Sequence, residues 1–135
     1  MKKITKKQRG FTMVELLVVI AIIGILASIA LISYNNVQNK AKDKAAISEM
    51  TQLRSQAQVY YDDNTNSYLG YCADAETTRI QTSITDHGGT GFNCDDAVDS
   101  WAAEVTIAGG DLYCVDANGR SSVIAATKGD ATSCP

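Results

Sequence analysis

The feature that most constrains this chain is the run FTMVELLVVIAIIGILASIALI, residues 11–32, whose only polar side chains are Thr12, Glu15 and Ser28. As an α-helix rising 1.5 Å per residue it spans roughly 33 Å, enough to cross a hydrocarbon core of about 30 Å. Ahead of it stands MKKITKKQRG, in which Lys2, Lys3, Lys6, Lys7 and Arg9 meet no acid. That charge pattern belongs to a leader, residues 1–10, kept on the cytoplasmic side of a membrane. In a chain of 135 residues this leaves room for one small domain, and the segregation argues against a plain soluble enzyme domain. The formal net charge of -3 gives no reason to expect a nucleic-acid partner. Without the leader the remaining side chains sum to -8.

Beyond the apolar run, Tyr34, Val37, Ala41, Ala46, Met50, Leu53, Ala57 and Tyr60 recur mostly at steps of three and four, which makes one face of a helix over residues 33–62. No Pro separates the two stretches, so the spacing predicts one continuous helix from about Phe11 to about Asp62. Its length would be on the order of 78 Å. DDNTNSYLG then breaks the helix. After Gly70 ten Asp or Glu face only Arg79, Arg120 and Lys128. Trp101, Ala103, Val105 and Ile107 alternate, Gly109-Gly110 turns, Leu112 to Val115 runs back, Asn118-Gly119 turns again, and Ser122 to Ala126 returns. Such glycine pairs between apolar runs are hairpin signals, so a three-stranded antiparallel meander is expected at about 101–126. Residues between Cys72 and Ala97 give no assignment. The fold class is therefore α+β, a long N-terminal helix carrying a small antiparallel head over residues 63–135.

Cys72, Cys94, Cys114 and Cys134 all fall in the head, with no CxxC pair and no His at ligand spacing. Structural disulfides, formed in an oxidising compartment, fit better than zinc or a redox site. Of the three possible connectivities, pairing neighbours closes the shortest loops. Each would be worth roughly 3 kcal/mol in a chain-entropy model.

Glu15 is the most informative residue, because a carboxylate inside a membrane helix costs at least about 2.5 kcal/mol and usually has a partner. Two blander readings compete. Glu15 lies near enough to the interface to snorkel, or the whole start is a secretory signal cut after Ser28-Ile29-Ala30. An acid inside the apolar stretch, and the helix that continues it without a break, argue against the signal peptide.

The run Gly10-Phe11-Thr12-Met13-Val14-Glu15, followed by LLVVIAIIGILASIA, resembles the N-terminal motif of type IV pilins and of the pseudopilins of type II secretion and competence systems. The likeness covers about residues 1 to 35. It implies a membrane-anchored precursor that a membrane aspartyl prepilin peptidase cuts between Gly10 and Phe11 and N-methylates at Phe11. It further implies assembly with identical or related subunits from an inner-membrane platform into an extracellular filament, the apolar helices inside and the heads outside. Glu15 of one subunit would then offset the new α-amino charge of another. Family members often carry Pro where this chain has Ile32, so the expectation that the stretch from Gly24 to Ile32 melts on assembly does not transfer readily.

Weaker signals have ordinary accounts. Asp62, Asn64 and Asn66 match the start of a calcium loop, but Ser67 and Ala73 stand where Gly and Glu are needed, so helix termination is the expected role. Asp95, Asp96, Asp99, Asp111, Asp116 and Asp130 suit a solvated acidic surface better than a metal site. His87 has no nucleophile at a suggestive spacing. Tyr60, Tyr61, Tyr68 and Tyr71 suit packing where the helix meets the head. No phosphate loop or dinucleotide fingerprint occurs, and neither an enzyme activity nor a cofactor is expected. Against the filament reading stands that of a binding module on a plain signal anchor.

Overall fold

The computed structural model describes residues 10–135, so the basic residues of the leader lie outside the described residues. The helix α1 covers Met13–Asp63. It runs unbroken through Gly24, whose carbonyl accepts the Ser28 hydroxyl at 2.9 Å, and through Ile32, where no Pro removes a backbone donor. Two units divide the chain, Met1–Asn36 and Val37–Pro135.

In the first unit every large apolar side chain from Met13 to Ile32 is exposed. In the second, the stripe Ala46, Met50, Leu53 and Ala57 is buried. The sequence spacing starts this face at Tyr34, but Tyr34 is 61% and Val37 63% exposed, and Ala41 is exposed too. The pattern is continuous while its cover inside the chain begins only at Ala46.

The end of α1 is built from the residues that resemble a calcium loop. The Asn64 amide group donates to the carbonyl of Tyr60 at 2.9 Å, and Thr65 and Asn66 take φ of 55° and 58°, turning the chain out of the helix. Asp62 accepts from Gln58. These side chains serve helix termination and do not converge on a common point.

A 3-10 turn at Tyr71–Ala73 leads to a second helix, α2, Ala75–Asp86. Asp74 caps it, its carboxylate accepting the Glu76 N–H at 2.9 Å, while Thr77, Ile80 and Ile84 are buried. His87 ends it through its own backbone N–H. The sheet is four-stranded, antiparallel and in sequence order: β1 Thr90–Asp96, β2 Trp101–Thr106, β3 Leu112–Asp116, β4 Ser121–Ile124. The expected meander is present as β2, β3 and β4. The stretch that gave no assignment forms α2 and the edge strand β1. One extra residue on β1 opposes β2 between Thr90 and Asn93, and Gly91 at φ 63° absorbs that bulge.

Trp101, Ala103 and Val105 of β2 and Tyr113 and Val115 of β3 meet the α1 stripe and the two isoleucines of α2 in one core. Tyr71 packs its ring 5.0 Å from Trp101 and 5.5 Å from Tyr60, and its hydroxyl donates to the Leu53 carbonyl at 2.6 Å. A buried phenol needs such an acceptor. The tyrosine cluster is thus largely packing between helix and sheet, with the Tyr61 and Tyr68 rings 4.6 Å apart and tilted by 35°.

Strand β2 is buried from Trp101 to Val105, where alternation predicts one wetted face. Ala102 and Glu104, together with Cys114 and Asp116 of β3, form the outer face, and the C-terminal segment covers it. Two disulfides, Cys72–Cys94 and Cys114–Cys134, span Cα distances of 5.6 and 5.9 Å. The second fastens that covering segment to β3.

Candidate functional site

Gly10 and Phe11 precede α1 in non-helical backbone, and Phe11 is 80% exposed. With the helix starting at Met13, Thr12 is its N-cap and Glu15 its third residue. The two close on each other. The Glu15 N–H donates to the Thr12 hydroxyl oxygen at 3.2 Å, and the Glu15 carboxylate accepts both the Thr12 N–H at 2.9 Å and the Thr12 hydroxyl at 3.0 Å. This reciprocal pair satisfies two donors that a helix start would leave open. Thr12 was missed by reading the run for hydropathy alone, although Thr-x-x-Glu ahead of an apolar run is the sequence sign of a capping box.

Chemically, this end of the helix offers an exposed Gly10-Phe11 peptide bond and a carboxylate held one turn away from it in an otherwise apolar surface. Met13 to Ile32 exposes far more contiguous apolar area than a water-soluble chain tolerates, so lipid or other helices must cover it.

Of the acids expected on a solvated surface, Asp95, Asp96 and Asp116 have a different use, which Glu104 shares. Asp116 is buried: one oxygen accepts the N–H groups of Asn118 and Arg120 at 3.0 and 2.9 Å, the other that of Cys134 at 3.0 Å. Asp96 accepts the N–H groups of Gly70 and Cys72 at 2.9 and 2.8 Å. Glu104 accepts the Lys128 N–H at 2.7 Å. The Lys128 ammonium, its side chain wholly buried, pairs with Asp95 and donates to the carbonyls of Gly129 and Ala131, each at 3.2 Å. Three acceptors satisfy a buried ammonium. Asp99, Asp111 and Asp130 remain exposed. These acids join distant loops to the sheet, a role no linear spacing announces. Among the described residues no group of three or more His, Cys, Asp or Glu gathers as a ligand set.

Compared with known proteins, residues 5–31 match the prokaryotic N-terminal methylation motif. The chain is 40% identical over 62 residues to a probable minor fimbrial protein of Dichelobacter nodosus, 46% of this chain and 39% of that protein. It is 38% identical over 78 residues to type II secretion system core protein G of Escherichia coli K12, 54% of either chain. With the type IV major fimbrial protein FimA of Dichelobacter nodosus it shares 32% identity over 93 residues, 62% of this chain and 58% of that protein. The chain thus spans less than two thirds of the relatives' length. No solved structure matches it. The N-terminal region is thus similar to that of fimbrial proteins and of a type II secretion core protein.

Proposed function

We propose that this chain is a structural subunit of a type IV pilus, made as a membrane-anchored precursor and polymerised through the apolar half of α1. The observation that carries this reading is the coincidence of the methylation motif with a helical stretch, Met13 to Ile32, whose large apolar side chains are exposed among the described residues. On this reading a prepilin peptidase of the membrane cuts Gly10-Phe11 and N-methylates Phe11. The precursor crosses the cytoplasmic membrane once, with residues 1–10 inside. An inner-membrane platform then moves subunits outward into a filament of identical or related chains. The subunit is not an enzyme and takes no cofactor, because its work is packing.

Cleavage places a cationic α-amino group at Phe11, beside the positive end of the α1 dipole, an unfavourable position. Glu15 of a neighbouring subunit supplies the opposing charge. Such a buried pair need not exceed an apolar contact in net stability. It fixes axial register instead, because every other stagger leaves a charge unpaired.

The identity with a type II secretion core protein supports a second reading, a pseudopilin of a short periplasmic fibre. Intact-mass measurement on filaments sheared from cells tests the proposal. Recovery of a chain starting at N-methylated Phe11 in long surface filaments supports the pilus. The same mass confined to the periplasm favours the pseudopilin, and a chain uncut at Met1 refutes both in favour of an anchored binding module.

A further inference from the structure

We propose that the head also binds a small carboxylate-bearing sugar of the uronic-acid type, in a cleft of about 350 Å3 between α1 and the ends of β2 and β3. One wall is a polar stripe of α1 that includes Arg54, Ser55 and Gln58, adjoining the buried stripe of Leu53 and Ala57. Tyr68 and Trp101 line the other side.

Arg54 is the reason to read the cleft as a site. Among the described residues, the other arginines of the head are occupied: Arg79 pairs with Glu76 at 2.6 Å, and Arg120 donates to the carbonyls of Cys134 and Pro135. Lys128 is held by Asp95. The guanidinium of Arg54, a half-buried residue, has no hydrogen-bond or ion-pair partner among the described residues. Asp116 also lines the cleft, but both its oxygens are engaged by backbone N–H groups. A guanidinium with no acceptor on the protein is available to one carried by a ligand. Its planar fork matches a carboxylate in bidentate fashion.

The surroundings favour a sugar over a bare anion. The Gln58 amide nitrogen is committed to Asp62, which leaves its carbonyl oxygen to accept from a hydroxyl, and the Ser55 hydroxyl lies beside it. Tyr68, half-buried on the cleft wall, offers aromatic carbons to the C–H face of a pyranose, while Trp101 closes the cleft from within the core. Gly119 in the β3–β4 turn lies beside the Arg54 guanidinium. There φ is 92°, and a Cβ would stand 3.4 Å from the Arg54 guanidinium. None of this depends on filament assembly.

Trp101 is the only tryptophan and lines the cleft, so its emission reads occupancy. The full-length chain in detergent micelles is titrated with sodium glucuronate, glucose and inorganic phosphate at matched ionic strength. A saturable change with glucuronate is expected, at a Kd on the order of 1 mM for a ligand of this size in an open cleft. Glucose and phosphate should each bind at least about tenfold more weakly, and Arg54→Gln should weaken glucuronate by about tenfold or more without altering the circular dichroism. Gln58→Leu, at an exposed position, should weaken it as well. No saturable change with glucuronate, unchanged binding in Arg54→Gln, or phosphate bound as tightly as glucuronate would each overturn the proposal.

Discussion

Glu15 closes the helix start with Thr12 in the single chain, and on the proposed assembly route it also meets an α-amino charge on a neighbour. Glutamine separates these roles. Its amide oxygen still accepts from the Thr12 N–H, so the cap survives while the charge is lost. Glu15→Gln should therefore be processed normally, yet filament yield in the sheared fraction should fall by about tenfold or more, the factor of a 1.4 kcal/mol loss. Full yield from this mutant would sink the register argument. Tyr71 gives a second prediction at this scale. Burial pushes its phenol well above the usual tyrosine value of 10.0. A raised folded-state value means that above about pH 10 the unfolded chain releases a proton that the folded head retains. Stability is then complete below pH 10 and falls as pH rises, by up to about 1.4 kcal/mol per pH unit. Denaturant melts from pH 9 to 11.5 should show this slope. Tyr71→Phe should reduce it while costing about 1 kcal/mol at neutral pH through the lost bond to Leu53.

At the scale of elements, α1 was legible from hydropathy and spacing, and so were β2, β3 and β4 from alternation between glycine turns. The helix α2 was hidden by its own composition, because four threonines among twelve residues suit a strand as well as a helix. The signs it carries are Asp74 as a cap and the steps from Thr77 to Ile80 to Ile84. Asp74→Ala should lower head stability by about 1 kcal/mol, seen as a lower melting midpoint. An unchanged midpoint would mean that tertiary packing alone holds α2. Strand β1 was hidden for another reason. TGFNCDD has no alternation to read, and its bulge at Gly91 shifts the register midway.

For the molecule as a whole, the C-terminal segment is held on the sheet by the Cys114–Cys134 bridge, by Lys128 in its ring of acceptors, and by the Asn93 and Ser100 side chains bonded to Gly129 and Thr132. Reducing the bridge, a staple worth on the order of 3 kcal/mol, should release this segment first. Trypsin should then cut after Lys128, and only after reduction, as mass spectrometry of the digest would show. Equal cleavage in oxidised and reduced protein would contradict this account. The sequence by itself determined the apolar run, the methylation motif at its start, the continuous helix and the strand-rich head, because each is a local pattern of hydropathy, charge or turn chemistry. Tertiary structure decided the rest. It paired Cys72 with Cys94 and Cys114 with Cys134, started the buried face of α1 at Ala46, and turned Asp96, Asp116 and Glu104 into acceptors for distant backbone. It left Arg54 facing a cleft without a partner. The physical reason is that a hydrogen bond or disulfide between residues eighteen or more apart depends on where the chain returns, and neither partner's neighbours record it.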